Sequence, residues 1–109
     1  MNEQSPADTQ SPADTKVQSI AEVETPKAGR YLQQLCKHFQ HKLPVTFDEH
    51  SGQITFSIGE CRLNAADDVL KLTLEAHDGA QMAQLQDVVA RHLLRFAFRE
   101  EMRIDWRTD

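Results

Sequence analysis

Residues 45–76 read VTFDEHSGQITFSIGECRLNAADDVLKLTLEA, and the alternation inside them decides the fold. Val45 and Phe47 alternate with Thr46 and Asp48, then Ile54, Phe56 and Ile58 with Thr55 and Ser57. Cys61, Leu63 and Ala65 alternate with Arg62 and Asn64, and Leu70, Leu72, Leu74 and Ala76 with Lys71, Thr73 and Glu75. A period of two places each apolar set on one side of an extended chain. The runs are punctuated by Glu49-His50-Ser51-Gly52, where Gly52 is able to take a positive φ, by Gly59 at a tight hairpin, and by Asp67-Asp68. Four short strands in meander order, each with one apolar face, indicate an antiparallel sheet covered on one side.

The flanks supply the cover. Thr25-Pro26 resembles an N-cap followed by proline at the first helical position. Leu32, Leu35, Cys36 and Phe39 then fall on one helical stripe, and Pro44 stops the helix. This predicts a first helix roughly from Pro26 to His41. Asp78 reads as an N-cap with Gln81 at the capping-box position. Met82, Leu85, Val89, Leu93 and Phe96 recur at spacings of three and four, predicting a second helix to about Arg99. Met102, Ile104 and Trp106 alternate with Arg103, Asp105 and Arg107 and predict a fifth strand. The expected order is α-β-β-β-β-α-β, a two-layer α+β domain with two helices on one face of an antiparallel sheet. By element order alone this is similar to the TATA-binding-protein-like and helix-grip folds. The other face would carry Thr55, Ser57, Arg62, Asn64, Lys71, Thr73, Glu75, Arg103 and Asp105. It has neither the apolar wedges nor the basic excess of a DNA reader, so nucleic acid is not an expected partner.

The chain has 109 residues, the size of one domain, and a net charge of −5. Residues 1–24 hold Glu3, Asp8, Asp14, Glu22 and Glu24 against Lys16 alone, so most of the acidity lies there. They also contain a tandem repeat, Ser5-Pro6-Ala7-Asp8-Thr9 and Ser11-Pro12-Ala13-Asp14-Thr15. Residues 1–24 are therefore expected to be a disordered acidic arm, and residues 25–109 a single α+β domain. Met1-Asn2-Glu3-Gln4 does not open like a signal peptide, so a cytoplasmic location is expected. No run of ~18 apolar residues exists to cross or enter a membrane. Two cysteines do not make a disulfide scaffold.

Two constellations bear on chemistry. Cys36-x-His38-x-x-His41 invites a metal reading, but Cys36 sits about 200° around the helix from His38, at 3.6 residues per turn. His38 and His41 alone fall short of the four ligands zinc takes, so no metal is expected, and Cys36 reads as a buried core thiol. The second constellation is basic: Lys37, His38, His41 and Lys42 on the first helix, and Arg91, His92, Arg95 and Arg99 on the second. If the helices pack side by side, Lys37, His38, His41, Arg91 and Arg95 form a cationic face suited to an anionic ligand or an acidic partner. Competing with this is ordinary pairing of the arginines with Asp87, Glu100 and Glu101. Asp67-Asp68 and Glu100-Glu101 are neighbours in sequence and do not face each other. His50 has no triad partner, and no glycine-rich phosphate loop exists. No cofactor and no catalytic residue is expected. Phe96 and Phe98 cannot both face the sheet from a regular helix, so one of them closes the core end or lies at a contact surface.

Three stretches together carry a family resemblance. They are Arg30-Tyr31-Leu32-Gln33-Gln34-Leu35-Cys36-Lys37-His38-Phe39 with His41-Lys42; Gly59-Glu60-Cys61-Arg62-Leu63; and Leu85 through Glu101, including Arg95-Phe96-Ala97-Phe98-Arg99-Glu100-Glu101. From Thr25 to about Arg107 the chain resembles the bacterial family called domain of unknown function 2218. The resemblance implies no catalytic residues. Members are found beside siderophore-interacting, flavin-binding ferric reductases. It therefore implies a non-enzymatic accessory or interaction domain linked to iron acquisition and siderophore use, with such a flavin reductase as protein partner. The alternative is a small anionic-ligand or metal-binding protein using the basic face of the two helices.

Overall fold

The computed structural model describes residues 16–108. Its elements are β1 (Val17–Glu24), α1 (Ala28–Phe39), β2 (Val45–Phe47), β3 (Ser51–Phe56), β4 (Gly59–Ala66), β5 (Val69–Ala76) and α2 (Gly79–Phe96). The sheet is wholly antiparallel in the order β1-β5-β4-β3-β2. The two-layer α+β architecture is as the alternation requires, but the order of elements is β-α-β-β-β-β-α. The fifth strand is β1, in residues that composition assigns to the arm. The C-terminal segment is extended but makes a single bridge, Ile20 to Arg107, on the free edge of β1. Residues 17–24 thus belong to the domain, while the repeat in residues 5–15 lies outside the described residues.

Register explains the two faces. Phe47, Gly52, Leu63, Leu72 and Ala21 stand abreast across the sheet, as do Val45, Ile54, Cys61, Leu74 and Ser19. This face meets the buried stripe of α1, Tyr31, Leu32, Leu35 and Cys36, and that of α2, Met82, Leu85, Val89 and Leu93. Ser19 is buried in the same layer and is satisfied by Gln86, whose Nε2 donates to Ser19 Oγ at 2.8 Å. The opposite face carries Thr46, Gln53, Arg62 and Thr73 in one row and Ser51, Asn64, Lys71 and Glu22 in another. It forms a broad concavity of about 720 Å³. Arg62 reaches Glu75 at 3.6 Å. Ser57 falls in the β3–β4 turn instead, and Arg103 and Asp105 pair with each other at 3.0 Å off the sheet.

Local chemistry sets the boundaries. Thr25 does not cap α1 in the expected way: its Oγ1 accepts from the Lys27 backbone N–H at 3.1 Å, and the helix starts two residues later than Pro26. Asp78 caps α2, its Oδ1 accepting from Gln81 N–H at 2.8 Å. Only half of the capping box forms, because Gln81 Oε1 is buried without a partner. Gly52 lies within β3, and its smallness is needed for space: a Cβ there would meet Cys36 Sγ at 2.8 Å.

Candidate functional site: the cationic seam between the helices

α1 and α2 lie side by side on the sheet, so their outer faces form one surface. α1 ends at Phe39, with the Gln40 N–H donating to Cys36 O at 3.0 Å, and the same stripe that buries Leu35 and Cys36 turns Lys37 and His38 outward. On α2, burial of Val89 and Leu93 turns Arg91 and Arg95 outward. The two sets meet along a seam. The His38 ring lies 4.9 Å from the His92 ring and 5.8 Å from that of Phe96, centroid to centroid. Phe39 stands 4.9 Å from both histidines and 5.1 Å from Phe56 on the sheet.

The electrostatics follow from this packing. His38 belongs to the exposed residues, yet its ring presses against aromatic neighbours. Lost hydration, and then the charges of His92, Lys42, Arg95 and His41, hold its pKa below the usual 6.5. The charges of His41 and Arg95 thus both act on His38. Arg91 differs: its Nε donates to Asp87 Oδ2 at 2.9 Å, an exposed i,i+4 pair that neutralises part of its charge. Lys37 is exposed on the same helix turn. His92, named in the basic constellation but not among the residues expected to form the cationic face, lies as close to His38 as Phe39 does. Its Nδ1 hydrogen-bonds the Val88 carbonyl at 2.7 Å, which sets the ring's orientation. No residue pattern in the chain encodes the interhelical distance that joins the two histidines.

The cysteines stay apart from this surface. Cys36 and Cys61 are free and buried, and burial pushes the Cys36 thiol up to about 11 and the Cys61 thiol up as well. Both therefore remain protonated and unreactive at neutral pH. Among the described residues no three histidine, cysteine, aspartate or glutamate side chains come together in a metal-holding group. His50 is exposed in the β2–β3 turn, where Asp48 Oδ1 accepts from the His50 and Ser51 N–H groups at 2.8 Å each. Its neighbour there is a turn-stabilising carboxylate, bonded by the backbone N–H groups of His50 and Ser51.

A second polar cluster ties the chain ends together. Tyr31 donates its hydroxyl to Glu100, and Thr25 Oγ1 donates to Glu100 Oε1 at 3.0 Å. The Tyr31 bond holds the Glu100 pKa below its usual range, and burial, then Glu100, raise that of Tyr31. Glu100 is thus held ionised by Tyr31 and Thr25, its charge acts on Lys27, and among the described residues it makes no ion pair with the arginines of α2.

Fold and surface together define a two-layer α+β domain with a polar sheet face and a cationic, aromatic helix layer. The family described as "Uncharacterized protein conserved in bacteria (DUF2218)" matches residues 20–107, and the chain belongs to that family. The chain is also similar to the protein PA4090 from Pseudomonas aeruginosa, whose structure was determined by NMR. The two are 37% identical with a TM-score of 0.71, over 84% of this chain and 95% of that one. No curated protein matches the chain. No helix among the described residues is long and apolar enough to cross a membrane.

Proposed function

We propose that this domain is a non-enzymatic docking module that meets an acidic protein surface through its helix layer, and that its partner is a siderophore-interacting flavin reductase. The observation that carries this reading is the seam itself. His38, His41 and Arg95 share one electrostatic neighbourhood beside the exposed Lys37 and Arg91, over a floor of Phe39 and Phe96. Interfaces take their anchors from aromatic and arginine side chains, and complementary charge speeds and orients encounter. The identity of the partner comes from the family resemblance, and the chemistry of its surface from the charges named here.

The test is association of the full chain with a candidate reductase at low and high salt. Arg91→Glu with Arg95→Glu is expected to weaken binding at least tenfold at low salt, and raised salt to weaken the wild-type complex. Binding that ignores both changes would place the docking surface elsewhere. Turnover of a substrate by the isolated domain would refute the non-enzymatic reading.

A further inference from the structure

Beyond Phe96 at the edge of the seam, the start of α1 and the exit of α2 line a pocket of about 240 Å³. Lys27, Arg30 and Arg99 supply its charge, and Tyr31, Phe96 and Phe98 its aromatic surface. Three features make this more than a gap between helices. First, the cations are placed against the local field. Lys27 is the N-cap of α1 and Arg30 is in its first turn, which has no acidic residue and no side-chain cap. A helix N-terminus carries partial positive charge, so cations there cost stability and an anion would relieve the cost. Second, the ionised Glu100 carboxylate beside the pocket is held by Tyr31 and Thr25 and offsets part of the charge of Lys27, which leaves Arg30 and Arg99 as the cations for a ligand. Among the described residues none of the three cations makes an ion pair. Third, Phe98 is 75% exposed at the pocket, with the Arg99 guanidinium carbon over one face of its ring, 5.3 Å from the centroid, so a ligand ring would use the other face.

We propose that this pocket binds a small aromatic carboxylate, a single planar ring bearing one acidic group. Arg30 and Arg99 offer forked donors that match a carboxylate, and Lys27 adds a point charge. Phe98 stacks its other face on the ring, while Arg99 stays in reach of the acidic group. The volume is below the ~300 Å³ at which drug-sized pockets begin, so it selects a compact ligand. The backbone that carries Phe98 and Arg99 is fixed: Ala97 N–H donates to Leu93 O and Glu100 N–H to Ala97 O, and the Glu100 carboxylate is tied to Tyr31 of α1. The site shares Phe96 with the docking floor but none of the charged residues assigned to docking, and the variants that test each proposal are different, so either can fail without the other.

The experiment is an NMR titration of the full chain with benzoate, acetate and cyclohexanecarboxylate as probes. Benzoate is expected to give saturable shifts at Arg30, Phe98 and Arg99. Acetate, which has no ring, and cyclohexanecarboxylate, which has no π face, are expected to bind at least several-fold more weakly. Arg30→Gln with Arg99→Gln is expected to weaken benzoate at least tenfold. Phe98→Leu should weaken benzoate but not acetate. These side chains lie on the surface, and unchanged amide shifts across the sheet verify that the variants fold. The docking variant Arg91→Glu/Arg95→Glu should retain benzoate binding. Absence of saturable shifts, or shifts that persist in Arg30→Gln/Arg99→Gln, overturns the site. Equal binding of acetate or cyclohexanecarboxylate overturns its aromatic specificity.

Discussion

Asp67 and Asp68 hold positive φ angles of 54° and 58°, so the β4–β5 hairpin turns through two left-handed non-glycine residues. Such two-residue turns match the twist of the strands, and glycine or asparagine fits them at less cost than aspartate. Asp68→Gly is therefore expected to stabilise the domain by ~0.5–1 kcal/mol, read as a raised urea midpoint at constant slope. Gly59 is the opposite case. Its φ is 157°, and a Cβ would lie 2.1 Å from the Glu75 carbonyl oxygen, so Gly59→Ala should cost ~2–3 kcal/mol in the same assay. The turn role of Gly59 is legible from its place between two alternating runs. The role of Gly52 is not: sequence offers positive φ, and the structure instead shows a side-chain-free slot opposite Cys36. Cys36 itself is legible, because its place on the Leu32–Leu35 stripe forces it inward, as its complete burial shows.

Among elements, β1 and the C-terminal segment show why a period can mislead. On β1 the inward positions hold Val17, Ser19, Ala21 and Val23, so a polar residue interrupts the apolar face. Ile20 stands on the polar face but is buried beside the Arg107 bridge. Small and inverted residues thus erase the alternation, and the acidic Glu22 and Glu24 make the strand read as arm. Residues 102–107 keep the alternation: Met102, Ile104 and Trp106 pack on the core. Ladder formation needs backbone partners as well, and only Arg107 finds one. The same limit governs the site. Outward-facing Lys37, His38, Arg91 and Arg95 follow from helical spacing, whereas the His38–His92 contact and the Lys27–Arg99 pocket depend on how two distant helices dock. Because β1 pairs with β5 over its full length, removing residues 1–24 should expose the β5 edge and the Leu70–Leu74 core. Loss of cooperative unfolding, compared with a chain beginning at Lys16, is the expected result. Retention of the full thermal midpoint would show that β1 contributes little to the fold.

At the scale of the molecule, three titrating groups bound the stability range. Tyr31 has a raised pKa, so its contribution is present below its ordinary 10.0 and is lost as pH rises through the folded value. Glu100 has a lowered pKa, so its contribution is present above its ordinary 4.5 and is lost as pH falls through the folded value. His38 is also lowered. Below its ordinary 6.5 the unfolded chain takes the proton first, and stability declines until the folded value is passed. Thermal midpoints should accordingly form a plateau above pH 6.5, with Tyr31→Phe flattening the alkaline limb and His38→Gln the mildly acidic one. The Ile20–Arg107 bridge has a consequence of a different kind. Its two backbone bonds, at 2.8 and 2.9 Å, place the first half of β1 beside the last of the described residues. The domain enters and leaves at one point on its surface. Splicing it into a loop of another protein would leave that protein's two loop ends close together. Joining residue 16 to residue 108 by a short linker and reopening the chain between Ser57 and Ile58 should likewise give a permuted domain that folds.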